Sequence, residues 1–186
     1  MPDYPAPLGA LIQKLSTAIH DLTAQLEAGS IPVSDWQTGM QALLARYHTA
    51  AYMVGLDSTA LSKNALEAIA AQVEAQMGYL NNFALVISSV GEFQAAFYSR
   101  ADMYSGSITT EYWEAKSGWL PLPAMPGQGT QCGGRCKCAW RIETLDEKAG
   151  DFDCYWELGV ADHCGTCVER AAQWNPVQIR DGVLMP

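Results

Sequence analysis

The chain has 186 residues, room for one domain with a small appendage, and it is 49% hydrophobic and only 17% charged, which excludes a disordered chain. Eleven basic against twenty acidic side chains leave a net charge of −9, with five against eleven through residue 116 and six against nine beyond it. Neither part supplies the basic stripe that general phosphate-backbone binding needs, and no apolar run approaches a membrane span, so neither nucleic acid nor membrane is an expected general partner.

The start, Met1-Pro2-Asp3-Tyr4-Pro5, lacks the basic stretch and apolar core of a secretory signal. Synthesis in a reducing compartment is therefore expected, where thiolates bind metal more readily than they pair as disulfides. Leu8, Leu11, Ile12, Leu15, Ile19, Leu22 and Leu26 then recur at helical spacing, and Gly29 offers a left-handed stop. Ser34 with Gln37 three residues on reads as a capping box opening a second helix. Its apolar face is Trp36, Met40, Leu43, Leu44, Tyr47 and Ala51, and Gly55 is expected to close it. Ser62 is the next N-cap, leading through Leu66, Ile69, Val73, Met77 and Leu80 to Val90, with a kink expected near Gly78 and Asn81-Asn82.

A further helix over 92–116 carries Phe93, Phe97, Ala101, Tyr104, Ile108 and Tyr112, with Gly106 as its weak point. Helical spacing makes these aromatics core rather than a ligand face, and Glu111, Glu114 and Lys116 read as solvated. Residues 117–135 form a strap: prolines at 121, 123 and 126 forbid helix, while Trp119, Leu120 and Leu122 are too apolar for a free linker. The strap is expected to pack along the helices and deliver the chain to the cysteines.

All six cysteines follow, as Cys132-x3-Cys136-x-Cys138, Cys154, and His163-Cys164-x2-Cys167. Cys136, Cys138, Trp140 and Ile142 alternate with polar neighbours as a strand with one buried face, and Cys154, Trp156, Leu158 and Val160 do the same after a polar turn. Antiparallel pairing of the apolar faces sets Trp140 opposite Trp156 and Ile142 opposite Cys154, which removes Cys154 from the other thiols and leaves it as a small buried hydrophobe. Cys164-x2-Cys167 is a knuckle turn before a helix over Val168 to Trp174, and two thiolates there gain from the helix dipole. Cys136, Cys138, Cys164 and Cys167 are thus the expected ligands of one zinc ion, closed by four sulfurs and so structural. Cys132 is a rival for one position and His163 a weaker one.

Enzyme signatures are missing: no zinc-deaminase pattern, Gly-x-Ser-x-Gly, phosphate loop or dinucleotide fingerprint occurs. His20 and His48 read as ordinary helix residues. No catalytic residue and no small-molecule substrate are expected; an enzyme would need one exposed free thiol, Cys132 first among them.

Arg100, Tyr104 and Trp113, the proline strap, Arg135-Cys136-Lys137-Cys138 and Asp162-His163-Cys164-x2-Cys167 together resemble the Mu F-like minor head (head morphogenesis) proteins of tailed phages over about residues 90–180. In that family the Cys-x2-Cys precedes the Cys-x-Cys, whereas here it follows. Gln131-Cys132-Gly133-Gly134 also replaces the family's Pro-x-His-Pro-Asn lead-in. The resemblance implies a non-enzymatic virion component, made in the host cytoplasm, that contacts portal or capsid proteins. An alternative is a zinc-ribbon adaptor or regulator using a basic patch of Arg135, Lys137 and Arg141 to bind protein or nucleic acid.

The expected architecture is mainly α: an antiparallel helical bundle over 1–116, the strap over 117–135, and over 136–186 a zinc-stapled β-hairpin plus helix.

Overall fold

The computed structural model describes residues 4–90, 92–133, 136–159 and 163–186. Arg135, Val160 and Asp162 lie outside them. The fold is mainly helical, with a small antiparallel sheet near its C-terminal end.

Helix α1 (Ala6–Glu27) starts behind Pro5 and buries Leu8, Leu15 and Ile19. Gly29 then takes the expected left-handed conformation at φ 66°, and the Ser30 N–H reaches back to the Gln25 carbonyl at 2.9 Å. Helix α2 (Val33–Leu56) departs from its reading at both ends. It begins behind Pro32, so Ser34 sits inside the first turn, and Gln37 instead donates to Asn81 Oδ1 at 2.6 Å. It runs past Gly55 and stops at Asp57, which takes the left-handed turn at φ 52°. Gly55 matters for packing instead. A Cβ there would lie 2.3 Å from the Tyr112 carbonyl oxygen, so this glycine lets two helix backbones touch.

Helix α3 (Lys63–Val90) opens on the expected cap, with the Ala65 N–H on Ser62 Oγ at 3.2 Å, and it continues unbroken through Gly78 and the two asparagines. Gly costs a helix only about 1 kcal/mol, and Leu80 and Phe83, both fully buried, outweigh that. The expected helix over 92–116 is split into α4 (Ala96–Asp102), a 3-10 segment (Met103–Ile108) and α5 (Thr109–Ser117). The hydroxyls of Ser105 and Ser107 bond the carbonyls of Asp102 and Tyr104, three residues back, at 2.7 and 2.8 Å, where the turn tightens around Gly106. Phe97, Tyr104, Tyr112 and Trp113 are core, as expected, but so is Glu111, at 2% exposure.

The strap buries Leu120, Ala124 and Met125, and the Ala124 carbonyl accepts the indole N–H of Trp140 at 2.8 Å. The sheet runs β1 (Ala139–Asp146), β2 (Asp151–Glu157), β3 (Val177–Arg180) and β4 (Val183–Leu184), in that order. The β1–β2 register pairs Trp140 with Trp156 and Ile142 with Cys154, as the apolar faces require, with an irregularity between Thr144 and Asp146. The ladder starts at Ala139, so Cys136 and Cys138 lie just before it. Helix α6 (Gly165–Gln173) starts inside the knuckle, ahead of the expected Val168, so that it takes in Cys167, and it carries the chain to Trp174, whose ring lies 5.6 Å from Trp140 and 5.5 Å from Trp156. Arg170 covers this cluster with its guanidinium 4.9 Å from the Trp174 ring and ties α6 to the strap through the Gln128 carbonyl.

Candidate metal centre

Three short segments bring the thiols together. The Thr130–Gly133 turn, closed by the Gly133 N–H on the Thr130 carbonyl at 3.1 Å, curls Cys132 inward. The Cys136 N–H binds the Gly133 carbonyl at 2.9 Å, which holds the residues entering β1 against that turn. On α6, Cys164 is the N-cap and its carbonyl accepts the N–H groups of Cys167 and Val168, so both knuckle sulfurs sit at the helix N-terminus.

Cys132, Cys136 and Cys167 place their Sγ atoms within 4.8 Å of one another, a group able to hold a metal ion. Cys132 and Cys136 lie 3.6 and 3.7 Å from the Cys167 sulfur, and Cys164 lies 3.6 Å from Cys132. Cys138 and Cys164 line the same cavity as Cys132 and Cys167. Of the four ligands read from the sequence, Cys136 and Cys167 are therefore in the tight trio, Cys138 and Cys164 flank it, and Cys132, the rival, completes it. His163 is half-buried and lines the adjoining cavity, outside the thiol contacts. Cys154 is fully buried between Ile142 and Val177 across the sheet, and burial with the Asp153 charge pushes its thiol up to about 11.

The thiols polarise one another. A hydrogen bond from the Cys138 thiol, helped by the Cys138 backbone N–H, holds Cys136 down at about 5 against its burial. Cys138 is driven up by that same bond, by burial and by the charge it faces. Burial opposes charge on Cys164, but backbone N–H and thiol bonds from Cys167 and Cys132 bring it down to about 7. Burial raises Cys132 and Cys167. Part of the site is thus poised to ionise near neutrality, and a cation would draw protons from the rest. A cavity of about 780 Å³ reaches the cluster between Ile12 and Asp102 on one side and Lys137 and His163 on the other, and it gives an ion a path in.

The pattern reading missed a second polar cluster. His48 is fully buried, with Nδ1 2.7 Å from Glu111 Oε1 and Nε2 2.9 Å from Ser107 Oγ. The connectivity is that of a serine–histidine–glutamate relay. Ser107 Oγ lies 2.8 Å from the Tyr104 carbonyl as well as 2.9 Å from His48 Nε2. The cluster links α2 to α5 and the 3-10 segment.

The chain matches no protein-family model, no curated protein and no solved structure. No helix among the described residues is long and apolar enough to cross a membrane.

Proposed function

We propose that the thiol cluster holds one structural zinc ion and that the protein is a non-enzymatic assembly component of a tailed-phage head, contacting portal or capsid proteins. The observation that carries the metal half is sulfur spacing. Four sulfurs at 2.3 Å from a tetrahedral ion sit about 3.8 Å apart. The thiol contacts here are 3.6–3.7 Å. An iron–sulfur cluster would spread its cysteines over several irons and does not suit so tight a trio. Sulfur from all ligands leaves no open position for a substrate, which supports a structural role.

The phage half rests on the resemblance of residues 90–180 to Mu F-like minor head proteins. The adaptor reading loses ground, because Arg141 is ion-paired with both Glu143 and Glu157 and contributes no free basic patch.

Zinc titrated into reduced apo-protein is expected to bind once per chain. Three of the five clustered thiols, Cys132, Cys138 and Cys167, are raised, so any four ligands include at least two that hold protons at neutral pH. Calorimetry in buffers of different ionisation enthalpy should therefore report at least two protons released per zinc, and affinity should fall as the pH falls. Absence of zinc uptake would sink the metal reading. Co-expression with the portal and capsid proteins of the same genome, followed by sedimentation, tests the phage reading. The protein should travel with head particles, and its exclusion from them would refute that role.

A further inference from the structure

Five thiols converge on a position that a tetrahedral ion fills with four, and their arrangement is not symmetric. Cys167 lies 3.6 and 3.7 Å from the sulfurs of Cys132 and Cys136. Cys132, Cys136 and Cys167 form the only mutually close trio among the described residues. The two remaining thiols approach from different backbone segments. Cys138 lies just ahead of β1, two residues beyond Cys136; Cys164, the N-cap of α6, meets the trio at Cys132, 3.6 Å away. Neither flanking sulfur joins the close trio.

Building on the zinc reading above, we propose that the ion is held by Cys132, Cys136 and Cys167 together with a fourth sulfur drawn from either Cys138 or Cys164. Cys138 would close the tetrahedron from the Cys136 side of the site and Cys164 from the Cys132 side. Only one can occupy the position at a time. The displaced sulfur stays beside the ion as an uncoordinated thiol, and both Cys138 and Cys164 line the adjoining cavity. Redundancy of this kind makes the site tolerant of losing either flanking cysteine and intolerant of losing a member of the trio.

The test is zinc content, with sulfur coordination from X-ray absorption, for the wild type, Cys138→Ala, Cys164→Ala, the double variant and Cys167→Ala. Both single variants should keep one zinc with four sulfurs, at an affinity lowered only about twofold, since one of two comparable arrangements is lost. The double variant and Cys167→Ala should lose the ion or its four-sulfur shell. A single variant that loses zinc, with the near-UV signal of its tryptophan cluster intact, would identify a dedicated fourth ligand and overturn the proposal. So would a double variant that still shows four sulfurs. Brief alkylation of the zinc-loaded wild type gives an independent reading that needs no variant to fold. One label per chain should divide between Cys138 and Cys164, and label on Cys132 or Cys136 would overturn the scheme. Zinc-free wild type is a different result, the failure of the metal reading itself.

Discussion

His48 and Glu111 show what single residues contribute that periodicity hides. Both sit on faces that look ordinary in sequence, yet their side chains are 1% and 2% exposed and meet at ion-pair distance. The contact is bent away from hydrogen-bond geometry, so among the described residues both Glu111 oxygens lack a hydrogen-bond donor, as Thr109 Oγ1 lacks a partner. Burying this pair with orphaned oxygens adds little net stability, whereas removing one member strands the other. Glu111→Leu alone and His48→Leu alone should each cost about 3–5 kcal/mol in urea unfolding, while the double replacement should recover most of that loss. Additive losses in the double variant would show that the two side chains act separately.

At the scale of elements, the sequence is legible wherever one face of an element is buried against a regular partner. The leucine spacing of α1 and the paired tryptophans of the β1–β2 register are of that kind, because a slip of one residue would turn Trp140 or Trp156 out to water. Helix ends are less legible, since local signals compete there. Pro32 starts α2 ahead of the capping box at Ser34, and tertiary burial of Leu80 and Phe83 carries α3 across residues that would weaken it in isolation. Strands β3 and β4 escape the pattern reading, although Val177 and Ile179 alternate with Gln178 and Arg180. A run that short gains its identity only from the neighbour it pairs with, here Cys154 and Phe152 of β2. The candidate site is legible in kind and not in membership. Cys-x-Cys and Cys-x2-Cys spacings announce convergent sulfurs, but whether Cys132 joins them depends on a turn through Gly133, at φ 51°, and spacing alone does not set that turn.

In the whole molecule, buried residues from the helices, the strap and the sheet form one cluster, from Leu8 and Ile108 through Leu120 and Met125 to Cys136, Cys167 and Ile179. The thiols lie inside that cluster, so whatever binds them stabilises more than the sheet. A ligand present at a thousandfold excess over its dissociation constant adds about 4 kcal/mol to the folded state. For a chain of this size each kcal/mol moves the thermal midpoint by about 2–4 °C. Chelation of the proposed zinc should therefore lower the midpoint by roughly 10 °C. The far-UV signal of the helices and the near-UV signal of Trp140, Trp156 and Trp174 should move together, because the helices share their apolar core with the sheet. If chelation instead erased the tryptophan signal while the helices melted at their original temperature, the shared core would not be a cooperative unit. The sheet would then be an appendage fastened by metal alone. Coincident transitions would mean that one small ion, bound at one end, sets the stability of the long helices as well as that of the sheet.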